Sequence, residues 1–481
     1  MKDTKHANFI NGEWVDGQTY TTNTSPSDLT DVIGLYARGG AKECEQAIAA
    51  AKEAAPVWAE SALEERKRIL DMIGAELIAR SAEIGTVLAR EEGKTIAEGT
   101  GEVYRSGQFF QYYAAETLRQ MGEVAASVRP GIDVEVRREP IGVIGIITPW
   151  NFPMAVAAWK IAPALAFGNT VVLKPADLVP ASAWILTEII SRCGLPKGAF
   201  NLVMGPGREV GEAISTSKDV DAVTFTGSVP VGRRIASNVI QNMAKIQLEM
   251  GSKNALVVLN DADLDVAVQC AINGAFFGTG QKCTASSRLI VEAGVYDQFI
   301  EMMRAEMKKL KVGNPLAEGM QIGSVVDEKQ YNQVLDYIEL AKSEGAILVE
   351  GGEALDLIPK GYYIAPTLFK DTTNEMKVNR EEIFGPVACV IKADDYDHAL
   401  AMSNDSEFGL TSGIITQSLA RSAHFKRYSK SGCVMVNLPT AGTDYHVPFG
   451  GRKSSSYGSR EQGKYAEEFY TVVKTNYSKP Y

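Results

Sequence analysis

Cys283 stands at the end of Gly278-Thr279-Gly280-Gln281-Lys282-Cys283, a glycine-rich approach with a lysine beside the thiol. Most cysteines are inert small hydrophobes. One flanked by an ammonium and small polar residues is suited to nucleophilic work, because a neighbouring positive charge favours the thiolate. Glu249, in Leu248-Glu249-Met250-Gly251, is a single carboxylate between apolar residues. Buried without a cation, such a group has a raised pKa and can serve as a general base; the alternative is a glutamate salt-bridged across a domain interface. Asn151 is a polar amide in the proline-braced loop Pro149-Trp150-Asn151-Phe152-Pro153. It either caps the following helix or donates to a developing oxyanion.

A second group of residues could hold a phosphorylated ligand. No GxGxxG fingerprint occurs; the nearest stretch, Gly205-Pro206-Gly207 with Gly211, has the wrong spacing. Phe225-Thr226-Gly227-Ser228 is a strand running into a small-residue turn that opens a helix near Pro230, where free N–H groups and a hydroxyl suit a diphosphate. A plain strand-to-helix turn with a serine cap reads equally well. Lys174 and Asp177 follow the strand Thr170-Val171-Val172-Leu173, placed either to meet a nucleotide ribose or to form an exposed ion pair.

These residues need a scaffold, and the hydrophobic pattern supplies one. Residues 41–116 are rich in Ala, Glu, Leu and Arg at helical spacing and predict three amphipathic helices. From Ile141 onward, short β-branched runs at 141–147, 170–173, 199–204, 221–226 and 255–259 alternate with helical patterns. A second series occupies 288–293, 346–351, 386–393, 411–416 and 432–437. Uninterrupted apolar strands between helices imply parallel strands buried on both faces, hence two doubly wound α/β units with a crevice between them. The alternation over 132–139 and 468–477 predicts exposed antiparallel strands able to pair across a subunit interface.

Composition excludes several other classes. At 481 residues the chain exceeds one ordinary core, and 45% hydrophobic with 22% charged residues is globular. A net charge of −10 offers no basic field for nucleic acid. Six cysteines without CxxC spacing and only four histidines disfavour both a metal site and a disulfide scaffold. With no apolar run in residues 1–14, the expectation is a reducing, cytoplasmic setting. Between Pro140 and Leu173 the only charge is Lys160, but prolines and glycines cut the stretch into pieces too short to span a membrane.

Trp150-Asn151-Phe152-Pro153, Leu248-Glu249-Met250-Gly251, Gly280-Gln281-Lys282-Cys283, Glu382-Ile383-Phe384-Gly385-Pro386 and Pro448-Phe449-Gly450-Gly451 occur in this order. With them the chain, from about Asn8 to Lys474, resembles the NAD(P)-dependent aldehyde dehydrogenase superfamily. The resemblance implies Cys283 as nucleophile, Glu249 as the base for the deacylating water, and Asn151 with the Cys283 N–H as the oxyanion hole. It further implies Lys160 and Glu461 as a proton relay, and Trp150, Lys174, Asp177, Gly207, Gly227, Ser228, Glu382 and Phe384 as the cofactor site. Asp177 stands where NAD-preferring relatives usually carry Glu, so NAD+ is favoured and NADP+ remains open. Domains are expected at 1–120 with 141–250 for the cofactor and 251–450 for catalysis. An oligomerisation element at 121–140 with 464–481 would serve a homodimer or homotetramer.

For the aldehyde, Trp159 occupies the position where succinate-semialdehyde enzymes carry an arginine, which disfavours that substrate. Arg105 and Lys282 are the cations expected to bind an anionic tail, with Trp159 and Phe449 beside them; Arg105 could instead pair with Glu102. The stretches 281–288, 449–456 and 459–463 are similar to family members acting on 2-oxoglutarate semialdehyde, so an ω-oxo acid is the expected substrate. Trp159, Tyr445 and Phe449 also suit an aromatic aldehyde. A CoA-acylating role is disfavoured by Glu249, and a non-catalytic role by the intact Cys283, Glu249 and Asn151. Cys283→Ser should abolish aldehyde oxidation, whereas Glu249→Gln should release one burst of reduced cofactor and then stall. Full dehydrogenase activity in Cys283→Ser would refute the nucleophile.

Overall fold

The computed structural model describes residues 4–480; Met1–Asp3 and Tyr481, the extreme ends of the outer expected spans, lie outside them. Four runs of the first series, joined by Lys245–Glu249, which the apolar pattern did not mark because Lys245 and Gln247 interrupt it, form five parallel strands, Lys245–Glu249, Ala222–Thr226, Val143–Ile147, Thr170–Lys174 and Phe200–Leu202, in that spatial order. The hairpin Asn8–Ile10 and Glu13–Val15 adds antiparallel strands at one edge, and Ser456–Tyr457 closes the other. The central strand Val143–Ile147 is buried at every position, as expected where helices cover both faces. It neighbours the next strand in the chain on one side and the fourth on the other. The order of connection reverses there, and a crevice opens at the carboxyl ends of these two strands.

The second series forms a seven-stranded sheet, parallel except for one edge, and takes in Asn254–Val258, expected in the first unit but found between Ser286–Glu292 and Thr411–Ile415, since an apolar run does not say which sheet it joins. That edge is Ile347–Glu350, expected as a buried parallel strand but found antiparallel to Thr367–Thr372 and largely accessible. An apolar run reports burial poorly when a strand lies at an edge. Its partner Thr367–Thr372 went unpredicted because Lys370 and Asp371 interrupt the apolar pattern. The strands Asp133–Pro140 and Thr471–Ser478 pair with each other within the chain over eight residues, and Glu123–Ala126 joins them as a third. Residues 41–116 form four helices, not three: Ala41–Ala59, Leu63–Ala79, Ser81–Glu92 and Ile96–Glu116. The break at Arg80 carries no Gly or Pro, so nothing local announces it.

Burial places several charges where they organise neighbouring elements. The helix Pro180–Ser191 begins at Val179, which supplies no side-chain cap. Glu91, from a helix 90 residues earlier, accepts the Ala181 and Ser182 N–H groups at 2.9 and 2.7 Å and the Asn23 amide at 2.8 Å. An acid at the positive end of a helix thus satisfies donors the local sequence leaves open. Glu91→Ala should cost about 3 kcal/mol of stability, because several buried donors lose their acceptor. Urea denaturation measures this; an unchanged midpoint would contradict it.

Candidate active site

The crevice is a cavity of about 1050 Å³ between the two sheets. Trp150, Asn151, Trp159, Gly227, Ser228, Glu249, Cys283, Glu382, Phe384 and Phe449, drawn from across some 300 residues of sequence, all line it. Asn151 does not cap a helix: the helix Ala155–Ala166 starts after Met154, whose N–H and that of Ala155 are taken by Glu102 at 3.0 and 3.1 Å. The Asn151 amide instead donates from Nδ2 to the Gln281 carbonyl at 2.9 Å, two residues before the thiol. An amide nitrogen carries two hydrogens, so the second is available to an oxyanion.

Cys283 follows a turn in which Gly278, Thr279 and Gly280 all have positive φ. At Gly280 a Cβ would lie 2.2 Å from the Gly385 carbonyl, so only glycine lets this loop press against the Glu382–Phe384 loop. Asn254 Nδ2 donates to the Cys283 and Ala285 carbonyls at 2.8 and 2.9 Å and holds the loop from below. Burial, then the charges of Glu249 and Glu382, pushes the Cys283 thiol well up. The expected help from Lys282 does not arrive: its Nζ donates to the Asn273 carbonyl at 2.8 Å, and its side chain lines a separate small recess. Burial lowers that ammonium to about 8.

Glu249, at the end of its strand, is buried, and burial followed by the nearby Glu461 raises its pKa well above the carboxylate range. Ser456 donates to Oε2 at 2.5 Å and Gln247 to Oε1 at 3.3 Å. Behind it Lys160 has no solvent exposure; its Nζ bonds the Glu461 carboxylate, Thr224 Oγ1 at 2.6 Å and Gln247 Oε1 at 3.4 Å. Burial lowers the Lys160 pKa, opposed by Glu461. A hydrogen-bonded path therefore leads from Glu249 through the Gln247 amide to Lys160 and Glu461.

On the other side, Lys174 ends a strand of the first sheet and pairs with Asp177 at 3.1 Å, next to Leu178, which lines the cavity. Ser228 precedes the helix Val229–Val239 without using its side chain as a cap. The hydroxyls of Thr148 and Thr226, at the carboxyl ends of the two strands flanking the switch point, are buried without partners. Free donors at a helix start and unsatisfied hydroxyls at the crevice fit a dinucleotide. Glu382 accepts the Ser252 N–H at 2.8 Å, and burial raises it to about 7. Gly251 leaves room for it, since a Cβ there would lie 2.3 Å from its carboxylate. Phe384, at φ +60°, meets Trp150 edge-on at 5.2 Å. Gly207 opens a helical turn and does not line the cavity.

Residues 14–476 match the aldehyde dehydrogenase family. The chain belongs to that family. It is 42% identical to an alpha-ketoglutaric semialdehyde dehydrogenase of Bacillus subtilis, over 99% of this chain and 98% of the relative. It is 40% identical to a 2,5-dioxopentanoate dehydrogenase of Saccharolobus solfataricus, over 97% and 98%. Among solved structures, a betaine aldehyde dehydrogenase of Staphylococcus aureus in complex with NAD+ superposes with a TM-score of 0.96 at 32% identity, over 98% of this chain and 95% of that one. An NADP-dependent enzyme of E. coli also reaches 0.96, at 35% identity over 99% and 98%.

This aldehyde dehydrogenase is thus an oxidoreductase that uses a nicotinamide cofactor, on the α/β fold expected of it. Sequence reasoning gave no part to Ser456, Gln247 and Lys94 and read Glu102 only as a partner for Arg105, yet all four touch or brace the central residues; Glu102, a buried charge in the helix Ile96–Glu116, is the one whose helical position signalled it. No helix among the described residues is long and apolar enough to cross a membrane, and none of their His, Cys, Asp and Glu side chains cluster to hold a metal ion. In cofactor-free enzyme, alkylation of Cys283 by iodoacetamide should keep accelerating beyond the ordinary thiol value of about 8.5. Glu249→Gln should move the inflection to lower pH. An inflection at or below the ordinary value would contradict the burial argument.

Proposed function

We propose that the enzyme oxidises an ω-oxo acid of the 2-oxoglutarate semialdehyde type to the dicarboxylate. Arg105 carries this reading. It is a half-buried cation over the Tyr445 ring at 5.4 Å, and its nearest expected partner, Glu102, is engaged by Lys94 instead. Tyr445 packs on Phe109 at 6.4 Å, and Phe109 on Trp159 at 5.8 Å, so the guanidinium sits at the outer end of the aromatic wall that leads to Cys283. A free guanidinium at one end and a nucleophile at the other suit a chain with a carboxylate and an aldehyde at its ends. The names of the Bacillus and Saccharolobus relatives point the same way.

In this reading the Cys283 thiolate adds to the aldehyde carbon, with its proton passing to Glu249. The new oxyanion is met by Asn151 Nδ2 and the Cys283 N–H. A bound nicotinamide would supply the hydride acceptor. Once the aldehyde carbon is oxidised, the acyl group remains on sulfur as a thioester; after Lys160 with Glu461 has carried the thiol proton away from Glu249, the freed carboxylate deprotonates the water that cleaves it. Trp150, Lys174, Asp177, Gly227, Ser228, Glu382 and Phe384 would hold the cofactor. The Asp177 carboxylate favours NAD+, since it accepts from a free 2′-hydroxyl and repels a 2′-phosphate. The cofactor and catalytic units follow the two sheets, with the three-stranded sheet as the oligomerisation element. Its exposed Val124, Val473 and Tyr477 support a homodimer or homotetramer.

A second reading rests on the same wall: Trp159 meets Phe449 at 5.7 Å, and this ring-lined approach also suits an aromatic aldehyde. Arg105→Ala separates the two. It should raise KM for 2-oxoglutarate semialdehyde about tenfold or more, the loss of one charge-assisted contact, and leave KM for benzaldehyde unchanged. An unchanged KM for the oxo acid, with benzaldehyde the better substrate, would favour the aromatic reading.

A further inference from the structure

The segment Asn151–Ala155 is gripped by one buried ion pair to which neither the family's motifs nor the reading above gives a part. The helix Ser81–Glu92 ends at Gly93, whose φ of +90° turns the chain back so that Lys94 enters the protein. The Lys94 side chain is 5% exposed and that of its partner Glu102 2%. Lys94 Nζ donates to Glu102 Oε2 at 2.8 Å and to the backbone carbonyl of Asn151 at 2.7 Å, and stands over the Phe152 ring at 4.3 Å. The other carboxylate oxygen, Glu102 Oε1, accepts the Met154 and Ala155 N–H groups. One pair thus holds the carbonyl of residue 151, the ring of 152 and the amides of 154 and 155. Burial works against the Lys94 charge, but Glu102 and Glu92 outweigh it and keep its pKa above the ordinary lysine value.

Among the described residues the Asn151 side chain has one hydrogen-bond partner, the Gln281 carbonyl. That bond sets which face of the amide turns to the cavity but not how far the backbone carrying it stands from the thiol. We infer that Lys94 and Glu102 are positioning residues for the oxyanion donor: by fixing the backbone on both sides of Asn151 they set the distance from Nδ2 to the oxygen that forms on the Cys283 adduct. This rests on the oxyanion reading of Asn151. A donor misplaced by about 1 Å costs on the order of a hundredfold in rate, and losing it altogether costs about a hundred- to a thousandfold.

The test is a cycle of variants read by the pre-steady-state burst of NADH, which reports acylation. Lys94→Met is expected to slow the burst about 10- to 100-fold with cofactor binding unchanged, and Lys94→Arg to recover most of the loss. In an Asn151→Ala background the same Lys94→Met change should cost less than about twofold, because the residue it positions is gone. The paired variant Lys94→Met/Glu102→Gln removes both charges of the pair together and keeps an amide oxygen for Met154 and Ala155; Glu92, 3.7 Å from Lys94, loses that cation, but burial already raises its pKa well above the carboxylate range. It serves where the single variant does not fold, and the same results are expected of it. A wild-type burst in a folded Lys94 variant, or losses that multiply fully with Asn151→Ala, would overturn the positioning role while the oxyanion reading stands. A wild-type burst in Asn151→Ala would overturn both.

Discussion

The Lys160 ammonium has no contact with water, and the site is arranged around the need to neutralise it. A bare buried charge costs several kcal/mol or more, so the chain must bring it an acid. Glu461 supplies that acid from 301 residues away. To reach Lys160, the segment after the second sheet crosses back to the first. There Phe449 and Glu461 exchange backbone hydrogen bonds at 2.7 and 2.9 Å, and Ser456–Tyr457 pairs with the edge strand Lys245–Glu249. The same crossing delivers Ser456 to the Glu249 carboxylate and Phe449 to the cavity wall. One ion pair therefore accompanies the placing of Ser456 on Glu249 and of Phe449 on the cavity wall in a single return of the chain.

Burial also shifts the resting protonation states. Cys283, Glu249 and Glu382 line one cavity, and each carboxylate makes it harder for the thiol to ionise. A protonated thiol beside an uncharged or singly charged base is the cheapest arrangement of three acids in a low dielectric. Ionisation of Cys283 is therefore disfavoured until something stabilises charge at its sulfur. The amide of Asn151 lines the same cavity, and the backbone around it is held by Lys94 and Glu102.

Much of this was legible in the residues. Cys283, Glu249 and Asn151 stood out because each is polar or reactive inside an otherwise apolar or glycine-rich stretch, and the strand-helix alternation announced two parallel sheets. The misses follow a common pattern. Lys282 looked like the thiol's activator by adjacency, yet neighbouring side chains in an irregular loop point apart, and its ammonium is spent on the Asn273 carbonyl. Asn151 looked equally like a helix cap until Glu102, 49 positions earlier in the chain, was found doing that work. The edge strand Ile347–Glu350 read as core because apolar content does not distinguish an edge from a centre.

By itself the sequence determined which polar and reactive side chains stand inside apolar or glycine-rich stretches and most of the strands and helices, because those depend on residue type and short-range periodicity, and the order of its motifs carried the family resemblance. Only the tertiary structure decided which buried charges meet: Lys160 with Glu461, Lys94 with Glu102 and Asn151, Glu91 with the start of the helix at Pro180. These pairings shift the protonation equilibria of the groups they join and hold the segment Asn151–Ala155. They arise from desolvation, which depends on what surrounds a charge in three dimensions and leaves no trace in its neighbours along the chain.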